Sequence, residues 1–230
     1  MVATSAPWQH GTVLRTPLAP DYWDVNTVRV EGPDPGFAAA ELMEMVDVLQ
    51  AGLQHRRIVI EDEATGERLR PAFRDAGWIA DRLVMMLREG PPPAAPEDVV
   101  ELPFPDTRAL RLDWHRSEDW GDEEALHLES AEVVAASTGN RAFAVFEDGQ
   151  PIGFVSVFSP PGAGAAEVDQ AYVTPAYRGR GIGGRLIEGA LAALGFHTNW
   201  IVADDEDRPK RLYERIGFEP VWRRYSFVRR

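Results

Sequence analysis

Apolar positions along this chain of 230 residues switch repeatedly between a period of two and a period near 3.6. The second half alternates most clearly. Ala109–Asp113 reads as a strand, and 122–137 as a helical stretch. Arg141–Phe146 and Ile152–Phe158 are β-rich apolar runs joined by Glu147-Asp-Gly-Gln150, and Asp-Gly between such runs predicts a tight hairpin. Glu167–Val173 reads as a further strand. Ile182, Leu186, Ala190, Leu191 and Leu194 recur at helical spacing, with Gly195 as the stop. A strand Trp200–Ala203, a helix Arg208–Ile216 ending at Gly217, and a strand Val221–Val228 complete the pattern. A hairpin feeding β-α-β-α-β predicts a mixed sheet of the α/β class with helices on its faces.

The first half looks like a worn copy of that ending. Asn26–Val30 reads as a strand, and Leu42, Met45, Val46 and Leu49 mark an amphipathic helix. Arg57–Ile60 is a strand running into acids, as Ile201–Ala203 does. Phe73-Arg-Asp-Ala-Gly-Trp78 parallels Tyr213-Glu-Arg-Ile-Gly-Phe218 at an offset of 140 residues, and Leu83–Leu87 is the expected closing strand. The stiff stretch Gly90-Pro-Pro-Pro-Ala-Ala-Pro96 reads as a linker. The expected division is therefore 1–95 and 96–230.

Composition narrows the classes. With 44% hydrophobic and 27% charged residues the chain is globular rather than disordered. No run approaches the roughly 18 apolar residues of a membrane span, and the first twenty residues lack a signal peptide's apolar stretch. The absence of cysteine excludes disulfides and thiol catalysis and fits a reducing cytoplasm. A net charge of −13 argues against nucleic acid. The charge is uneven, +2 from Glu167 onward and −15 over the preceding 166 residues.

Arg178-Gly-Arg-Gly-Ile-Gly-Gly184 is the most informative stretch. It follows a strand and opens a helix. Its glycines remove Cβ atoms so that amides can close on an oxyanion. The helix start and Arg178, Arg180 and Arg185 add positive charge. Gly179-x-Gly181-x-x-Gly184 also fits the dinucleotide fingerprint, with Asp204 about twenty residues on. A nicotinamide reading suffers because Thr174–Arg178 separates strand from glycines and too little chain follows for a second nucleotide half. A phosphate P-loop fails for want of Gly-Lys-Ser/Thr.

Ala171-Tyr-Val-Thr-Pro-Ala-Tyr-Arg-Gly-Arg-Gly-Ile-Gly-Gly-Arg-Leu-Ile187 resembles the acetyl-CoA motif of the GNAT superfamily of N-acetyltransferases. Arg211-Leu-Tyr-Glu-Arg-Ile-Gly-Phe218 is similar to that family's late helix and the strand after it. The likeness extends from about Leu110 to the end of the chain, and the first part resembles only the family's second half. It implies a GNAT-like acyl-CoA N-acyltransferase fold with a degenerate N-terminal partial repeat, acetyl-CoA as co-substrate, no metal, and a small-molecule or peptide amine as acceptor. It implies further that Tyr172, Val173, Arg178, Gly179, Arg180, Gly181, Ile182, Gly183 and Gly184 hold the co-substrate. Backbone near Val173 would align the thioester, and the amides of Gly179 to Gly184 would hold the pyrophosphate. Tyr213 would protonate the leaving thiolate.

For the base that deprotonates the amine, Glu167 and Asp169 lie two apart on one strand and so share a face. Glu167 stands 11 residues before Arg178, similar to the base of the family's histone-acetylating branch, and a water chain is the alternative. In the first copy, Glu31-Gly-Pro-Asp-Pro-Gly36 replaces the glycine loop, with two prolines lacking N–H and two acids repelling phosphate, and Phe73 replaces Tyr213. That half is expected to be structural, in a monomer that is an internal pseudo-dimer or in a homodimer. Trp114, Trp120 and His127 fall where the family walls its acceptor pocket. In the loop Glu206-Asp-Arg-Pro209 many members carry Asn and Ala, so one contact to the co-substrate is missing here or made by an acid. The five histidines show no metal spacing, and Ser156 lacks the Gly-x-Ser-x-Gly elbow. Two rival functions remain: a non-catalytic acetyl-CoA-binding regulatory module, and a nicotinamide-dependent oxidoreductase.

Overall fold

The computed structural model describes residues 4–117, 124–160 and 162–230. In chain order the elements are β1 (Thr4–Trp8), β2 (Gly11–Arg15), β3 (Val28–Val30), α1 (Ala39–Leu49), β4 (Arg56–Ile60), α2 (Glu63–Asp75), β5 (Ile79–Glu89), β6 (Val99–Leu102), α3 (Arg108–Ser117), α4 (Glu124–Thr138), β7 (Arg141–Glu147), β8 (Gln150–Phe158), β9 (Ala165–Val173), α5 (Ile182–Leu194), β10 (Thr198–Asp204), α6 (Pro209–Arg215) and β11 (Glu219–Arg229). They form two compact units. One comprises Met1–Met85, Ala203–Asp207 and Val221–Arg230, the other Met86–Val202 and Arg208–Pro220.

In the first unit β1 pairs antiparallel with β2, β2 antiparallel with β3, and β3 parallel with β4. Alternate residues Val28, Val30, Ile58 and Ile60 point inward, where Leu42 and Val46 of α1 and Leu69 and Phe73 of α2 meet them at helical spacing. The last strand of the chain completes this layer. Tyr225 lies opposite Ile60 and Phe227 opposite Ile58, and the Phe227 ring stacks on Phe73 with centroids 4.2 Å apart. Residue 66 must be glycine for α2 to pass over Tyr225, since a Cβ there would lie 2.0 Å from the tyrosine ring. Asp62 caps α2 by accepting the Thr65 N–H at 2.8 Å. The turn Ala203–Asp207 is pinned by arginines of the same unit. Arg70 grips both Glu206 oxygens at 2.7 and 2.6 Å, and buried Asp205 sits between Arg82 at 3.0 Å and Arg223 at 2.6 Å.

In the second unit β6, β7, β8 and β9 pair antiparallel in sequence order, and β9 pairs parallel with β10. The expected hairpin forms with Asp148 at φ 50° and Gly149 at φ 76°, the two positive values a type I′ turn requires. α5 ends at Gly195 in the left-handed conformation, φ 71°. The second half of the expected repeat, β9-α5-β10-α6-β11, has the element order of β3-α1-β4-α2-β5.

The strand expected at Ala109–Asp113 is instead part of the helix α3. Leu110 and Trp114, four residues apart, pack together on Phe154 and Tyr172, a helical pairing that the alternation of Leu110 and Leu112 masked in the sequence. Strands β1, β2 and β6 were not foreseen. Their residues are mostly half-buried or exposed, so no apolar rhythm announced them.

Candidate active site

The site is assembled where β9 gives way to α5. The parallel ladder to β10 runs from Ala165 opposite Thr198 to Val168 opposite Ile201. Beyond Val168, the described ladder partners of β9 lie on β8 alone. The Thr174 N–H donates to the Ile152 carbonyl at 3.0 Å, in register with Phe154 opposite Tyr172. Antiparallel alternation then turns the backbone groups of Tyr172 and Gln170 toward β8, and those of Val173 and Ala171 toward the opposite, open edge. The Val173 carbonyl accepts from the Arg178 guanidinium at 2.9 Å, while its N–H faces that edge.

After Val173 a 3-10 turn, Pro175–Tyr177, leads into the glycine loop. Gly179 and Gly181 take φ 79° and 75°, values that only glycine adopts without strain. Gly181 is the N-cap of α5, and no side chain caps that helix. The amides of Ile182, Gly183 and Gly184 therefore stand at the helix start, where intrahelical acceptors run out and the dipole is positive. Gly183 and Gly184 have a second environment. A Cβ on Gly183 would lie 3.3 Å from Leu212 Cδ2, and one on Gly184 would lie 3.5 Å from Leu212 Cδ1.

The arginines of the loop are tied down locally. Arg178 lies 5.7 Å over the Tyr172 ring. Arg180 pairs with Glu147 at 2.7 Å, and its hydrogen bond holds that carboxyl below its ordinary range. Arg185 pairs with Asp98 at 3.0 Å and donates to the Arg180 carbonyl at 3.1 Å. Burial pushes the Tyr172 phenol above its ordinary pKa, with Arg178 opposing the shift and Asp113 adding to it.

The register of β9 bears on the carboxylates. Ser156 lies opposite Gln170 but Val157 lies opposite Val168, so Asp169 is an extra residue in β9, a β-bulge. β8 itself alternates regularly against β7 through this stretch. Glu167 lies opposite Phe158, so it joins the side-chain face of Tyr172 and Gln170, the face covered by α3. Plain alternation would have turned it to the other face. Asp169 accepts from Ser156 Oγ at 3.2 Å and from Asn140 Nδ2 at 3.4 Å. Tyr213 is half-buried on α6, its ring 6.4 Å from that of Phe218.

Three features escaped the sequence reading. Leu212 meets the loop glycines, and Glu147 and Asp98 partner the loop arginines. Gly153 allows the close approach of β8 and β9, since its Cβ would stand 2.9 Å from the Tyr172 carbonyl. A lone glycine inside a strand was the available signal for the last. Trp114 packs with Leu110, Phe154 and Tyr172. Trp120 and the side chain of His127 lie outside the described residues. Glu206 is engaged by Arg70 within the first unit. Among the described residues no cluster of metal-ligating side chains occurs, and no helix is long and apolar enough to cross a membrane.

Residues 138–220 match the family of acetyltransferase (GNAT) domains. No curated protein matches the chain. A conserved protein of unknown function from Staphylococcus epidermidis ATCC 12228 superposes with a TM-score of 0.73 at 16% identity, over 99% of this chain and 94% of that one. A GCN5-related N-acetyltransferase from Kribbella flavida follows with a TM-score of 0.59 at 15% identity, over 98% and 89%. A tandem GNAT protein from the clavulanic acid biosynthesis pathway, solved without acetyl-CoA, gives 0.57 at 15%, over 87% and 74%. At such identities the structures speak for the fold. The likeness to acetyltransferase (GNAT) domains thus lies over residues 138–220, the stretch that holds the glycine loop, α5, β10 and α6.

Proposed function

We propose that residues 96–230 transfer an acetyl group from acetyl-CoA to a primary amine by direct attack with both substrates bound. The carrying observation is the set of backbone donors around the β9–α5 junction, namely the Val173 N–H on the open edge and the amides that begin α5 without a side-chain cap. A thioester carbonyl suits the first and a diphosphate the second. Val173 orients the carbonyl and stabilises the charge that grows on its oxygen. Gly179 to Gly184 hold the diphosphate. Glu167, on the face of Tyr172, takes the amine proton directly or through water, and Tyr213 gives a proton to the departing thiolate.

The first copy supports a structural role for 1–95. In the segment that replaces the glycine loop, Asp34 is committed to Arg68 by two hydrogen bonds of 2.7 Å and to the Gly36 N–H at 2.8 Å. It presents an acid where the second copy presents amides.

Acetyl-CoA with a panel of amines, followed by release of free CoA, tests the activity. A chain that binds acetyl-CoA but releases CoA with no amine is a binding module, and one that binds NADH and ignores CoA is an oxidoreductase. Tyr213→Phe is expected to lower kcat by about 10²- to 10⁴-fold while the KM for acetyl-CoA changes little. Wild-type turnover in that variant removes the phenol from the mechanism.

A further inference from the structure

α6 is only seven residues long, begins without a side-chain cap, and has no buried residue. Propensity alone does not hold a helix that short in one place. Besides the contact of the Tyr213 ring with Phe218, the helix meets the glycine loop through Leu212, whose two methyl carbons lie within 3.3 and 3.5 Å of where Cβ atoms would stand on Gly183 and Gly184. A Cβ on Gly184 would also approach Ile216 Cγ2 at 3.9 Å, just beyond the helix end. The two glycines thus form a flat seat, and residues from both sides of Tyr213 rest on it. The same glycines supply first-turn amides of α5.

We propose that Leu212 is a positioning residue that couples the diphosphate loop to Tyr213, resting on the acetyltransferase reading above. Drawing the amides of Gly183 and Gly184 onto an anion fixes the surface on which Leu212 sits, and that sets the reach of the adjacent phenol. Gly183 therefore serves twice, by its backbone toward the ligand and by its missing side chain toward α6, where a Cβ would press on Leu212 at 3.3 Å. A misplacement of about 1 Å at a reacting group is enough to lose on the order of a hundredfold in rate.

The test uses the full chain with acetyl-CoA, CoA and whichever amine supports CoA release. Leu212→Ala is expected to lower kcat about ten- to a hundredfold, with the acetyl-CoA KM within about twofold of wild type. Leu212→Met, which keeps the contact, restores most of the rate. In a Tyr213→Phe background the alanine variant costs little more, because the group it misplaces is already gone. Gly184→Val, whose branches collide with Leu212, loses activity, and adding Leu212→Ala recovers part of it. Amide hydrogen exchange supplies a readout apart from turnover. CoA slows exchange over 212–217 in the wild-type chain and does not do so in Leu212→Ala, although CoA still binds. Equal protection in both chains, or rate losses that multiply fully between Leu212→Ala and Tyr213→Phe, overturns the coupling. Failure of the functional reading shows in the wild-type chain itself, as no CoA bound and none released.

Discussion

Glycine means different things at different positions of this chain. At 179 and 181 it permits a positive φ, and at 183 it makes room for Leu212. At 66 it lies in the middle of a helix, where alanine has the better intrinsic propensity by about 1 kcal/mol. Here packing outweighs propensity. A Cβ 2.0 Å from the Tyr225 ring forces a buried aromatic out of its place, so Gly66→Ala should destabilise the protein by about 3 kcal/mol. Urea unfolding measures this, and a raised midpoint would show the ring able to yield. The pair Phe73 and Tyr213, 140 residues apart in matching positions, makes the same point about chemistry. Phe73 is fully buried and stacked on Phe227, whereas Tyr213 is half-buried and keeps a hydroxyl.

The elements of the second unit depend on a polar bolt between α3 and α4. Arg111, 1% exposed, donates to Thr107 Oγ1 at 3.0 Å and to Glu132 at 2.8 Å, and lies 4.4 Å over the Phe104 ring. Burial pushes the Glu132 carboxyl up, but hydrogen bonds from Arg108 and Arg111 outweigh this and hold it below its ordinary value. A depressed carboxyl contributes stability that is complete above its unfolded-state value and is lost as pH falls through the folded-state value. Acid should therefore loosen the seating of α3 on α4 below about pH 4.5, and Glu132→Gln should flatten that part of the stability profile. Glu132→Ala leaves a buried guanidinium short of its counter-charge, at a cost of about 3 kcal/mol at neutral pH, read by thermal or urea unfolding. These elements were unevenly legible. The Asp148-Gly149 hairpin and the glycine loop ahead of α5 were plain in the sequence because local backbone chemistry dictates them. α3 was misread because five residues of Ala-Leu-Arg-Leu-Asp fit either period. The face assignment of Glu167 depends on the bulge at Asp169, and a register slip between strands leaves no mark on the residues of one strand. Leu212 could not be singled out, since an apolar helix residue does not say which glycine it will meet.

At the scale of the whole molecule, the units do not coincide with two stretches of sequence. The first takes Ala203–Asp207 and Val221–Arg230 from the far end of the chain. Tyr225 and Phe227, both fully buried, belong to its core. Removing 221–230 should expose the edge of β4 and empty that core, so the truncated chain should lose cooperative unfolding of the first unit and bind a hydrophobic dye. A fragment ending at residue 95 should likewise remain unfolded until a peptide spanning 219–230 is added. A cooperative transition of the first unit in the truncated chain, or of the fragment without the peptide, would show that strand to be dispensable. The dependence also sets a timetable for biosynthesis. The half that leaves the ribosome first is finished by residues made more than a hundred positions later, so its apolar faces wait, open to chaperones and proteases, until that strand has emerged.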